Sequence, residues 1–438
     1  MLTRLHHWWQ DKRSSFWFLP AMMVLNAVLL AIALIIIDAT VDLHVVERWP
    51  LLFGVGAAGA RGLLTAVAGS MITVAGVVFS ITLVALSLTS SQYTSRVIRN
   101  FMRDSINQVV LGAFVGIFAY CLVVLRTIRG GDEQTFVPSL AVSVGLILAF
   151  IGIAFLIYFI HHISKSIQAS SIIARVAQET IEAVDQLFPQ ELGVDGDEDG
   201  DELRASLDPQ PWVSIHARKS GYIESVDANA LLNVARKHKT ILRMERSIGE
   251  FVVEGMPLVS VANPDVLDDE MSTQVNGVYV ISHQRTVEYD VAFGIRQIVD
   301  IAMKALSPGI NDTTTAVMCV DYLAAILVRL AARRIVTAHC LEHGMLRVIA
   351  RGPSFESLLA EAFDQIRQNA SGNVAIMSRQ LGALQTIASQ TTNPGRRRAV
   401  HEKVQWIAEL AERTIASPYD RERFEKHLVR VRKELVSR

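Results

Sequence analysis

Four stretches of the chain, 16–37, 63–88, 109–125 and 137–160, are apolar without the regular polar interruptions of a soluble helix or strand. Each runs for about 17 to 26 residues, the length an α-helix needs to cross a hydrocarbon core of about 30 Å at about 1.5 Å per residue. No later stretch has that pattern, so four transmembrane helices are expected. The second stretch continues without proline to residue 104, which predicts one helix that crosses the bilayer and runs on as a charged amphipathic segment. Within it Thr73, Ser80, Ser87 and Thr94 recur every seven residues, with Gly69, Gly76 and Ser91 beside them. A seven-residue step drifts by only about 20° on an α-helix, so these small and polar groups share one stripe. Such a stripe is expected to face protein or water.

Beyond the last apolar stretch, Ile167, Ile172, Val176, Val184 and Leu187 fall at helical spacing, and the fourth span is expected to continue as a helix to Pro189. Residues 190–202 are dense in Asp, Glu and Gly and read as a linker. From 212 to 261 short apolar runs alternate with turns, and the turns at Gly221 and at 249–258 resemble those of a biotinyl- or lipoyl-like β-sandwich. The hairpin lysine of such carriers is missing, so the resemblance implies a β scaffold without a swinging arm. Residues 288–306 read as a helix stopped by Ser307-Pro-Gly-Ile-Asn-Asp312, after which Asp312 or one of Thr313, Thr314 and Thr315 caps a helix to about 334. A strand at 346–350 and helices over 355–387, 396–416 and 420–436 complete the pattern.

The resulting fold class is an α-helical membrane domain of four transmembrane helices (1–162), a helical extension and acidic linker (163–205), and a cytoplasmic α/β region. That region divides into a β-rich subdomain with a small sandwich-like unit (206–285) and a mainly helical subdomain ending in a bundle (286–438). Composition agrees: of 438 residues 51% are hydrophobic and only 19% charged, where an average soluble domain has about 25% charged. A net charge of −1 argues against a nucleic-acid partner. Three cysteines, 121, 319 and 340, have no repeated spacing, which fits a reducing compartment. The first apolar stretch is too long for a signal-peptide core and lacks a cleavage pattern, so it is expected to stay as a span.

Loop charge gives an orientation. Arg4, Lys12 and Arg13 precede the first span, and Arg96, Arg99 and Arg103 follow the second. The other two loops have fewer basic residues, Arg48 and Arg61 in one and Arg129 in the other, and both contain acids. By the positive-inside rule both termini and the region after the fourth span are cytoplasmic.

The sequence from 289 to 312, Tyr-Asp-Val-Ala-Phe-Gly-Ile-Arg-Gln-Ile-Val-Asp-Ile-Ala-Met-Lys-Ala-Leu-Ser-Pro-Gly-Ile-Asn-Asp, together with Val-Phe-Ser-Ile-Thr-Leu-Val-Ala-Leu at 78–86, resembles the bacterial predicted-membrane-protein family with domain of unknown function 2254. The resemblance covers nearly the whole chain. It implies a bacterial inner (plasma) membrane location and four spans, and it supplies no activity.

Candidate chemistry is thin. Asp290, Arg296, Asp300, Asn311 and Asp312 surround the Ser-Pro-Gly turn, but no phosphate-binding lysine or glycine pattern accompanies them, and caps and ion pairs account for each. Asp195-Gly-Asp-Glu-Asp-Gly200 matches the first half of a calcium loop, yet Ser206 stands where the bidentate carboxylate belongs, so a solvated acidic hinge is expected. His339-Cys340-x-x-His343 lacks the partner ligands of a zinc site and reads as a surface turn. His161 and His162 are read as interfacial residues at the end of the fourth span. No metal, cofactor or catalytic set is expected, and an enzyme is not.

Two readings of the stripe remain. Thr73, Gly76, Ser80, Ser87 and Thr94 form a helix-packing seam, or several copies of the helix line a pore with Arg96, Arg99 and Arg103 at its cytoplasmic mouth. No intramembrane acid, lysine or broken helix indicates a coupled transporter. The expected function is a homo-oligomeric ion channel with a cytoplasmic gating or assembly region. The alternative is a membrane-anchored sensor or scaffold that binds a ligand or partner without transport.

Overall fold

The computed structural model describes residues 17–40, 56–92, 105–129, 136–189, 211–335, 339–342 and 345–436. Contacts group the chain into two units, 1–168 and 169–438.

The first unit is four apolar helices: α1 (Phe18–Thr40), α2 (Ala57–Gln92), α3 (Ser105–Thr127) and α4 (Ser139–Ser166). The third packs against each of the other three. Lipid-facing helices gain little from apolar burial against one another, so close approach depends on small side chains. Gly112 and Gly116 on α3 supply it: a Cβ on Gly112 would lie 2.8 Å from Met23 Sδ and 2.9 Å from Pro20 Cα, and one on Gly116 3.4 Å from Ala27 Cβ. On α4, Gly145 admits Leu64 and Gly152 admits Met71 in the same way.

One end of this unit is tied by polar groups matched to helix dipoles. Asp38, near the end of α1, accepts from the N–H groups of Leu140 (3.3 Å) and Ala141 (3.0 Å) at the start of α4. Arg61, in the first turns of α2, donates to the carbonyl of Ile128 just past α3 (3.0 Å). Tyr120 donates to the carbonyl of Ala141 at 2.7 Å, and Arg129 and Phe136 pair as a β-bridge between α3 and α4.

The expected continuation of the fourth span as one helix does not hold. Helix α4 ends at Ser166, and after Ile167 and Gln168 a separate helix, α5 (Ala169–Leu187), belongs to the second unit. Its buried face, Ile172, Ile173, Val176, Ala177, Thr180, Ala183 and Val184, packs inside that unit, so tertiary contact decides where the helix breaks.

The second unit contains two sheets. Strands β1 (Val213–His216), β2 (Gly221–Val226), β3 (Leu242–Met244), β4 (Phe251–Val252), β5 (Pro257–Val261) and β6 (Tyr279–Ser282) are interrupted by helices α6 (Ala228–Lys237) and α7 (Asp269–Val278). Helix α8 (Val291–Ala305) and helix α9 (Thr313–Ala331) follow, then β7 (His339–Glu342) and β8 (Met345–Ile349). The five-stranded sheet has the order β1-β5-β3-β8-β7 and the three-stranded sheet β4-β2-β6. Pairing is antiparallel throughout except between β3 and β8. Ile223, Leu242, Leu258, Val259, Met271 and Val275 are central to the core shared by the sheets and α6 and α7.

The unit ends in α10 (Phe355–Asn369), α11 (Val374–Ser389), α12 (Pro394–Thr414) and α13 (Pro418–Val436). The single helix expected over 355–387 is two, because Gly372 turns the chain at φ +72 and Asn373 caps α11 by accepting from Ile376 N–H. Helix α9 packs against α5, α8, α10 and α11, and buried Arg396 at the start of α12 closes its end by donating to the carbonyls of Leu330, Ala331 and Arg333. Among the described residues five helices, α1 to α4 and α9, are long and apolar enough to cross a membrane, one more than the four stretches read from the sequence. The fifth went unrecognised because it is the least apolar and contains Asp321 and Arg329.

Candidate functional site

The two sides of α2 differ in kind. Ala60, Leu64, Ala68, Met71, Ala75, Val78, Thr82 and Ala85 are buried, at steps of three or four residues, and all but Thr82 belong to the hydrophobic core of the first unit. At 3.6 residues per turn, Gly62, Gly69, Thr73, Gly76, Ser80 and Ser87 lie about 180° away from that face. All six are exposed, and a Cβ at Gly62, Gly69 or Gly76 would meet nothing within 4 Å. The glycines of α3 and α4 therefore form the packing seam within the chain, and those of α2 do not. Among the described hydroxyls, Ser70 donates to Val67 O (2.9 Å) and Thr73 to Gly69 O (2.8 Å). These two donors are thus satisfied along the helix. Exposed Ile72, Val77, Phe79, Leu83 and Val84 flank the stripe and suit lipid. Helix α2 starts at Ala57, six residues before the expected start at 63. Thr94, Arg96, Arg99 and Arg103 lie outside the described residues.

The residues around the Ser-Pro-Gly turn do not converge on one point. Asp290 and Asp312 cap the N-termini of successive helices, α8 and α9, and the 15 residues of α8 separate them by roughly 22 Å. Asp290 is 6% exposed, accepts from Phe293 N–H (3.0 Å) and pairs with Arg285 Nε (2.7 Å). Gly249, at φ +85, makes room for it, since a Cβ there would lie 2.3 Å from Asp290 Oδ2. Arg296 bridges Asp300 (3.0 Å) and Glu361 of α10 (3.1 Å). Asn311 takes the left-handed conformation at φ +50 in the exposed turn. Asp312 accepts from the hydroxyl (2.6 Å) and the N–H (3.0 Å) of Thr315, which hold its carboxyl below the usual carboxylate range.

A cleft of about 740 Å³ opens between α9, α11, α12 and the end of α13. Its lining includes the small residues Ala324, Ala325, Gly382 and Ala383, the ion pair Asp321 with Arg379 and the hydrogen bond from Gln385 to Glu434. Sequence reasoning missed this cleft, Asp38 and Arg61; the glycine spacing at 112 and 116 was a visible signal for the α3 seam.

His339 and Cys340 lie in strand β7, not in a surface turn; His343 and the calcium-like loop lie outside the described residues. His162 stacks on Tyr158 along α4, with ring centroids 6.1 Å apart. Among the described residues no group of three His, Cys, Asp or Glu side chains is placed to hold a metal ion.

Comparison with known proteins agrees with the run of apolar helices. A family model described as "Predicted membrane protein (DUF2254)" matches residues 13–386. Uncharacterized proteins of Mycobacterium bovis and of Mycobacterium tuberculosis are each 34% identical over 371 residues, covering 83% of this chain and 70% of theirs. No solved structure matches. The chain belongs to the DUF2254 family of predicted membrane proteins.

Proposed function

We propose that this protein is a passive, homo-oligomeric pore of the bacterial inner membrane, and that copies of α2 line it with Thr73, Gly76, Ser80 and Ser87. The observation that carries this reading is the open Gly/Ser/Thr face of α2, opposite the side that packs in the chain. Glycines facing lipid would lack packing partners, and small side chains on a helix exposed to lipid lead to association with another helix or to contact with water. A ring of hydroxyl oxygens about an axis would replace part of an ion's hydration, and Arg96, Arg99 and Arg103 would charge the cytoplasmic mouth.

In this reading four helices, α1 to α4, span the membrane and both termini are cytoplasmic. Helix α9 stays in the gating or assembly unit, because it is enclosed by four helices and forms ion pairs through Asp321 with Arg379 and through Arg329 with Asp185. Caps and structural ion pairs account for the acidic and basic residues of α8 and the turn after it, and the protein is not an enzyme. A membrane-anchored sensor or scaffold is the second reading, favoured by the cleft beside Asp321 and Arg379.

Flux separates the two. Liposomes containing the full chain are loaded for Na⁺, K⁺ and Cl⁻ gradients in turn, with Ser80→Phe alongside. Flux that the variant loses supports the pore; no flux from inserted, folded protein rejects it and leaves the sensor.

A further inference from the structure

We propose that the paired turns at 217–220 and 253–256 form a docking tip for an anionic lipid surface. This inference rests on membership of a membrane-protein family and not on the pore. The two turns are locked together: Ala217 N–H donates to Met256 O (2.9 Å), Gly255 N–H to Ala217 O (2.8 Å) and Glu254 N–H to Ser220 Oγ (2.9 Å). Gly255 supplies the positive φ of +82 that the second turn needs.

The tip carries Phe251, Val253 and Met256, at 52%, 50% and 47% exposure. Among the described residues of the sheet region, these are the large apolar side chains left in the open. The chain could have buried or replaced them, since neighbouring Val252 is 1% exposed. Tyr222 braces Phe251 edge-on at 5.1 Å, so the apolar surface is held in place.

Charge identifies the partner. Exposed Arg218 and Lys219 sit in the adjoining turn, where Arg218 donates to Thr273 Oγ1 (2.9 Å) and Lys219 to Ile281 O (2.8 Å). Both acceptors are neutral, so neither positive charge is cancelled there. Glu254 is the opposing acid of the tip. Two cations beside three apolar side chains match an interface where acyl chains meet anionic headgroups. A site too weak to hold a free domain suffices in a chain already anchored in the bilayer, because tethering raises the effective concentration of the surface.

Met256 is a built-in reporter of docking. The full-length protein would be placed in nanodiscs of phosphatidylcholine alone or mixed equally with phosphatidylglycerol. Hydroxyl-radical oxidation of Met256 and Phe251 is then read by mass spectrometry, with buried Met271 as control. Oxidation of Met256 should slow in the anionic discs. Replacing Arg218 and Lys219 with glutamine should erase the difference, by about fivefold in the docked-to-undocked ratio for each residue. E254Q should deepen the protection, and V253D should remove it. If V253D exposes Met271, it has lost its fold, and the glutamine pair, which keeps the apolar tip, decides. Equal oxidation in the two lipids overturns the proposal. So does protection that follows two copies per disc whatever the headgroup, which would assign the tip to a second copy of the chain.

Discussion

Exchanging one glycine for alanine on α3 and on α2 should give opposite results, and the contrast is calculable. At Gly112 the new Cβ would stand 2.9 Å from Pro20 Cα, a backbone atom in α1, and 2.8 Å from Met23 Sδ. Methionine can rotate away, but the backbone contact requires α1 to move, an overpacking cost of about 1–3 kcal/mol. Alanine recovers about 0.5–1 kcal/mol of helix propensity, so G112A should lose about 1 kcal/mol net, within a range of about 0–2.5 kcal/mol. At Gly76 nothing lies within 4 Å, and only the favourable propensity change, about 0.5–1 kcal/mol, remains for the single chain. Unfolding by increasing mole fraction of dodecyl sulfate, followed by circular dichroism under monomeric conditions, should place G112A below the parent and G76A level with it or above. Equal midpoints, or G76A as the weaker variant, would refute the assignment of the two faces.

Gly294 and Thr180 provide a second close contact, with a Cβ at 294 lying 2.1 Å from Thr180 Oγ1. G294A should destabilise the second unit by about 1–3 kcal/mol, and T180A/G294A should regain most of it in a denaturant titration; no recovery in the pair would put the cost elsewhere. Asp38→Ala removes the acceptor for two N–H groups of α4 and should cost about 1 kcal/mol, read as a lower thermal midpoint, with Asp38→Asn intermediate. Burial raises the pKa of Glu245, but hydrogen bonds from Ser260 and Arg243 outweigh it and hold the carboxyl below its ordinary value. A depressed folded pKa stabilises above the unfolded value, about 4.3, and that contribution is lost as pH falls through the folded value. The stability of the second unit should therefore fall on acidification below about pH 4, and Glu245→Gln should be weaker at neutral pH with a flatter acid limb.

What the sequence revealed followed the range of the interaction. The four most apolar helices were legible because lipid demands continuous apolar runs, and Asp312 was legible as a cap because its role is local. The break at Ile167 and Gln168 was not, since neither residue type ends a helix and the contacts that capture α5 come from α8 and α9, more than a hundred residues later. The parallel pairing of Leu242 with Val348 and Arg243 with Ile349, which brings β8 and β7 into the larger sheet, is equally remote. Helix α7 had a local signal in Asp268, which accepts from Met271 N–H, followed by two acids in the first turn. The break at Gly372 and Asn373 could also have been read, because glycine then asparagine is an end-and-start pair. For the candidate pore face, periodicity placed Thr73, Gly76, Ser80 and Ser87 on one stripe. Only the arrangement of α3 and α4 determines which side of α2 the chain covers.

Water access to that stripe tests the pore most directly. Cysteines introduced one at a time at 71, 73, 75, 76, 78 and 80, in a chain whose Cys340 is replaced by serine and whose buried Cys121 and Cys319 serve as the unlabelled background, would be treated in intact proteoliposomes with a membrane-impermeant maleimide. The pore predicts labelling at 73, 76 and 80 and none at 71, 75 and 78, repeating the helical period. Positions 73, 76 and 80 staying as unreactive as 71, 75 and 78 would contradict it, because a face closed to water conducts nothing.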